Sequence, residues 1–204
     1  SYNVAIGSAA LAANTTANNN TAVGYTALLS NTTGTQNVAV GASALSSNTT
    51  GSNNVSIGWD SLKITTASRN TAVGAAALES TSTGENNTGI GNHALNNNTT
   101  ASNNSALGHG ALFANTTGTQ NVAIGSETLK ANTTADYNTA IGRSALKVNT
   151  TGEYNTAIGG LALFDSTTAS YNVAIGYTAL YENTTGHSNT GIGFQALQGN
   201  TTGQ

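Results

Sequence analysis

The stretch Asn172-Val173-Ala174-Ile175-Gly176-Tyr177-Thr178-Ala179-Leu180-Tyr181-Glu182-Asn183-Thr184-Thr185-Gly186-His187-Ser188 is followed at Asn189 by the same phrase. Read outward at that spacing, Asn recurs at 3, 20, 37, 54, 70, 87, 104, 121, 138, 155, 172 and 189. The unit is therefore 17 residues long, repeated twelve times, and only the copy from Asn54 to Arg69 is one residue short. A fixed short period means coils stacked along one axis, each touching only its neighbours. Helical solenoid units are longer, about 33–47 residues, so the period predicts an all-β parallel β-solenoid of twelve coils filling residues 1–204 as one array.

Composition narrows the function classes. Cys, Met and Pro are absent, which removes disulfides, thiolate metal sites and a cysteine nucleophile. Charged residues are 6% of the chain and the net charge is −3, leaving no basic surface for neutralising phosphates, so nucleic acid is not an expected partner. No apolar run approaches the roughly 20 residues that cross a bilayer. The ends of the sequence fall mid-unit, at Ser1-Tyr2 and Thr201-Thr202-Gly203-Gln204, which is read as a window on a longer chain or as a subunit stacking end to end into a filament.

Counting places from the Asn of each unit, places two to five read Val-Ala-Ile-Gly, Thr-Ala-Val-Gly and close variants. Alternation, β-branching and a closing Gly predict a short strand ending in a bend. Gly at place five, from Gly7 to Gly193, points either to a positive φ or to backbone crowding that excludes a Cβ. Places eight and nine form a second apolar pair, Ala-Leu, in which only Ser61 and Thr128 replace Ala. Asn-Thr-Thr-Gly or Asn-Thr-Thr-Ala then turns the chain back. The expectation is two short strands per coil, with the Ile and Leu ladders inside and the charged and aromatic places six, seven, ten, eleven, sixteen and seventeen outside.

Place three holds Ala5, Ala22, Ala39, Ser56, Ala72, Gly89, Ala106, Ala123, Ala140, Ala157, Ala174 and Gly191. With Ile taken as inward, this row of small residues points outward and reads as a subunit-packing face. A thin interior of one Ile and one Leu per coil argues the same way, since burial between subunits would offset the entropy of ordering each coil.

The phrase Asn-(Thr/Val)-Ala-Ile-Gly at constant spacing resembles the head repeats of YadA-like trimeric autotransporter adhesins. The longer form, with Ala-Leu and Asn-Thr-Thr-Gly, resembles repeat arrays of tail-fibre-like proteins of bacteria and viruses. The resemblance covers all twelve units. It implies a left-handed roll associating as a homotrimer, placed outside the cell, on its surface or in a virion tail fibre, and it names no ligand. The unit here is about three residues longer than that of the autotransporter heads.

Candidate chemistry is sparse. Tyr137, Tyr154 and Tyr171 share place seventeen in successive units and predict an exposed aromatic ladder, suited to a cell-surface glycan or protein or to mere packing. The Asn ladders read as structural hydrogen-bonding stacks. Asn-Thr-Thr matches the N-glycosylation pattern at Asn14, Asn31, Asn48, Asn98, Asn115, Asn132, Asn149, Asn183 and Asn200, but stacked sites about 4.8 Å apart leave room for sparse modification at most. The Thr pairs raise ice binding as a second alternative. His93 and His109 occupy neighbouring places without a third ligand, so no metal site, cofactor or catalytic residue is expected. The sequence reading is a structural extracellular fibre, with an adhesin or receptor-binding fibre as the alternative.

Overall fold

The computed structural model describes residues 2–203. Twelve three-residue strands, β1 (Val4–Ile6) through β12 (Thr190–Ile192), form one parallel sheet in sequence order. Pairing is in register, Val4 with Thr21 and Ile158 with Ile175, so equivalent places stack. The all-β solenoid expected from the period is the fold. The short copy does not disturb it, because Val55 still pairs with Thr71. The missing residue is taken up in the turn, where Ala67 N–H donates to Thr65 Oγ1 at 3.1 Å.

The orientation of the strand is the reverse of the expectation. Place three faces the interior: Ala22, Ala39, Ser56, Ala72, Ala106, Ala123, Ala140, Ala157 and Ala174 are buried, as are Gly89 and Gly191, and only Ala5 on the first coil is exposed. These residues pack inside their own chain and are not a subunit-packing face. Places two and four turn outward, with Ile124 38% and Leu107 47% exposed. The physical reason is space. Leu at place nine, fully buried from Leu28 to Leu180, fills the interior, and a Cβ added at Gly89 would meet Leu78 Cγ at 3.2 Å. A methyl fits opposite that leucine and a branched side chain does not. Where place three is Ser56, its hydroxyl donates to the Ser61 carbonyl at 2.8 Å and also meets the Ser61 hydroxyl, so the two polar departures of that coil satisfy each other.

The second apolar pair is not a strand. Places seven and nine have left-handed backbones in every coil, for example Thr26 (φ 54°) and Leu28 (φ 50°). That conformation costs roughly 1–2 kcal/mol for a residue with a Cβ, an amount comparable to burying a leucine, about 1.5–3 kcal/mol. What it achieves is hydrogen bonding in both axial directions. Thr26 N–H donates back to Ser8 of the preceding coil and Leu28 N–H donates on to Ala44 of the next, both at 3.0 Å.

Two asparagine ladders complete the interior. At place one, Asn155 N–H donates to Asn138 Oδ1 at 3.0 Å, and Asn138 Nδ2 donates to the Gly152 carbonyl at 2.8 Å. Place twelve forms a second stack, Asn132 Nδ2 to Asn115 Oδ1 at 2.9 Å and Asn149 Nδ2 to Asn132 Oδ1 at 3.2 Å. This stack breaks where Asn is replaced: the buried hydroxyls of Thr81 and Ser166 have no partner. Ser166→Asn is expected to join the runs ending at Asn149 and starting at Asn183. Asn132 already stands with Ala135 in the same turn, so the amide fits a coil closed by Ala169. Two or three new buried hydrogen bonds at about 0.5–1.5 kcal/mol each give a gain of about 1–3 kcal/mol, read as a higher denaturant midpoint; an unchanged midpoint would show that the break costs nothing.

Place fifteen carries a further rule. It holds Ala17, Gly34, Gly51, Ala67, Gly84, Ala101, Gly118, Ala135, Gly152, Ala169, Gly186 and Gly203, so Ala never follows Ala. A Cβ at Gly118 would drive into the Ala135 carbonyl, and one at Gly34 into the Gly51 carbonyl, so these glycines are held by the backbone of the next coil whichever residue it carries.

Candidate functional site

The coil presents three candidate surfaces. The first is the outer face of the sheet. Its two columns hold only Val, Thr, Ser, Ile and Leu, with no charged residue from Val4 to Ile192. Just past the place-five bend stand further exposed aromatics, Tyr25, Trp59, Tyr177 and Phe194. Strand spacing of about 4.8 Å makes the strip roughly 53 Å long. Sequence reasoning missed this face by setting bulk above pleat. Asn at place one and Ala at place three share one side by strand parity, and the amide ladder belongs inside, so Val and Ile at places two and four must point out.

The second surface is the tyrosine ladder, which lies where the spacing put it. Tyr137, Tyr154 and Tyr171 are 44%, 44% and 60% exposed. Their rings stack with centroids 4.9 Å and 5.2 Å apart and interplanar angles of 7° and 3°. Each has a left-handed backbone, φ 58°, 56° and 63°, and an N–H bonded to the preceding coil, as Tyr171 to the Glu153 carbonyl at 3.1 Å. Desolvation first, and after it the like charges of Tyr137, Tyr171, Glu153 and Asp136, push the Tyr154 phenol up. Stacking covers the facing rings, so the ladder offers a partner edges and hydroxyls. A glycan that packs its C–H groups on ring faces would find only the outer faces of Tyr137 and Tyr171.

The third is a brace across coils. Glu127 accepts from Lys130 at 2.6 Å and from Lys147 at 2.8 Å, and these two ammonium groups, Lys130 first, hold its carboxyl down at about 2. Lys147 Nζ also sits 5.8 Å from the Phe164 ring, which stacks on Tyr181 at 5.2 Å. The ion pairs are partly exposed and worth about 0.2–1 kcal/mol each. Arg69 and Glu85 pair similarly on neighbouring coils. Asp60 departs from the expected outer position of the charges, being 5% exposed, and is paired with Lys63 at 3.0 Å.

The remaining sequence candidates are occupied by structure. His93 packs edge-on to Phe113, centroids 6.0 Å apart, and among the described residues no three His, Cys, Asp or Glu converge on a point and no pocket opens. The Asn-Thr-Thr amides from Asn31 to Asn183 are buried, Asn14 and Asn200 half-buried, so a glycan on an inner rung would have to displace a ladder amide. The first Thr of most pairs spends its hydroxyl on the next coil, as Thr32 Oγ1 to the Thr49 carbonyl at 3.0 Å. The second Thr of each pair, as Thr33, Thr50 and Thr117, is exposed. Comparison with family models, curated proteins and solved structures returned no match.

Proposed function

We propose that this chain is the shaft of an extracellular fibre or surface appendage, which assembles with copies of itself through the outer face of the sheet. The observation that supports this reading is the uncharged outer strip of the sheet, in which place four is Ile, Val or Leu in all twelve strands and place two is Val, Thr or Ser. Continuous apolar patches of this size on a soluble surface mark interaction sites. The strip repeats with the rise of the coil, so its natural complement is a surface of the same period, a second copy of the chain. A homotrimer along a common axis follows from the resemblance to autotransporter heads and tail-fibre arrays, and it would cover one strip per subunit. The role is mechanical: ladders of backbone, Asn and Leu give a stiff rod that spaces or displays other parts.

The test is solution mass against the 20.3 kDa of one chain. Light scattering at micromolar concentration is expected to give about three times that mass. Ile124→Asp with Ile158→Asp places two charges on the strip, outside the coil interior, and is expected to yield folded monomers with unchanged far-ultraviolet circular dichroism. A monomeric wild type, or a variant that stays assembled, would overturn the proposal. The stacked tyrosines do not favour the adhesin reading over this one, because their faces are spent on each other.

A further inference from the structure

We propose that Tyr137, Tyr154 and Tyr171 are an oxidative cross-linking site, at which a one-electron oxidant joins neighbouring rings carbon to carbon and staples successive coils. Seven tyrosines occur in the chain, yet among the described residues tyrosine stacks on tyrosine only here. Tyr177 stacks on Phe194 and Tyr181 on Phe164. The pairs that can couple are thus confined to one column of three rings.

Three observations converge on that column. The rings are co-facial at 4.9 Å and 5.2 Å, and their half-exposed edges leave the hydroxyls open to an oxidant and to water. Backbone bonds from Tyr137, Tyr154 and Tyr171 to the preceding coil hold the pairs together. Finally, the chain has no Cys or Met and a single Trp, so the sulfur side chains that usually consume oxidants are missing, and Trp59 lies in a different coil.

The chemistry balances with hydrogen peroxide and a haem peroxidase as the oxidant. Each of two tyrosines gives up one electron and its hydroxyl proton, leaving two phenoxyl radicals with spin on the ring carbons ortho to oxygen. The adjacent radicals pair to form one C–C bond, and the two ring hydrogens at the coupled carbons migrate to the oxygens, restoring both phenols. The two electrons and two protons reduce one peroxide to two waters. The rings must splay from face-to-face to edge-to-edge as the bond forms, which their exposure allows. Tyr154 takes part in either link, with Tyr137 or with Tyr171.

Treatment of dilute protein with peroxidase and peroxide tests the proposal. Trypsin cuts after Lys130, Arg143 and Lys147, so a Tyr137–Tyr154 link joins fragment 131–143 to fragment 148–204. That joined peptide is expected by mass spectrometry, together with dityrosine fluorescence, on chains that still migrate as monomers in a denaturing gel. Tyr154→Phe keeps a ring in the stack and separates the other two. It is expected to abolish the joined peptide and lower the fluorescence at least about tenfold, since rings locked on adjacent coils meet at far higher effective concentration than rings on different chains. Tyr177→Phe and Tyr181→Phe should change neither. Undiminished fluorescence in Tyr154→Phe, or links found only between chains, would overturn the assignment. The result does not depend on self-association, because the link lies within one chain.

Discussion

Gly142→Ala is expected to destabilise the array by about 3–5 kcal/mol. Two independent penalties act at that atom. The backbone stands at φ +129°, a region that only glycine enters cheaply, and a forced residue there costs about 1–3 kcal/mol. The new Cβ would also lie 2.6 Å from the carbonyl carbon and oxygen of Gly159 in the next coil, so two coils would have to separate to admit it. Because each coil touches only its neighbours, the damage should be local before it is global. Hydrogen exchange is expected to show protection lost first in the coils from Asn138 and Asn155, with the equilibrium unfolding midpoint falling. Gly160→Ala is the control: its Cβ would meet nothing closer than the Tyr177 ring at 3.4 Å, and it should be near neutral. Equal stabilities for the two variants would refute the close-approach account.

The second large effect is expected at Asn138→Ala, about 2–4 kcal/mol. The Asn155 N–H, which donates to Asn138 Oδ1 at 3.0 Å in a fully covered interior, would be left without an acceptor. A buried orphan donor costs about 1–3 kcal/mol, and the vacated amide volume adds a cavity term of the order of 1 kcal/mol. The Gly152 carbonyl would suffer less, because Asn149 Nδ2 also donates to it at 2.9 Å. That redundancy predicts an ordering: Asn138→Ala should cost more than a substitution at a half-covered end of a ladder, such as Asn14→Ala. Denaturant melts of the two variants measure it, and the reverse order would show that the place-one ladder does not carry the axial cohesion ascribed to it.

These two positions also show what kind of inference the repeat allowed. At place five the sequence offered a choice between a positive φ and crowding against a neighbour, and the structure has both at once. At place one the reading of stacked amides was right, and its corollary was not drawn: if Asn is inside, pleat parity puts Ala inside and Ile outside. The error came from ranking side chains by hydrophobicity alone. An interior filled by leucine has room opposite it for only a methyl, and burial preference cannot act where volume forbids it. The same blindness to geometry produced a second strand at Ala-Leu. Apolar spacing there is compatible with a strand, and nothing local announces that places seven and nine are left-handed. The tyrosine column was legible in full as a column, since constant spacing and in-register stacking leave no freedom. That its faces are mutually covered was not, because ring orientation depends on side-chain torsions.

The sequence by itself determined the coil length, the number of repeats and the residues that stack on one another. Periodicity is a property of the chain, and any structure that stacks the units must honour it. Tertiary structure alone decided which side of each strand is inside, how the leucine turn is built and which carbonyl each amide reaches. Those outcomes depend on distances of a few tenths of an ångström between adjacent coils, between Gly142 and Gly159 or Gly89 and Leu78. No pattern of residue types along the chain encodes separations that fine; they emerge only when one coil is laid against the next.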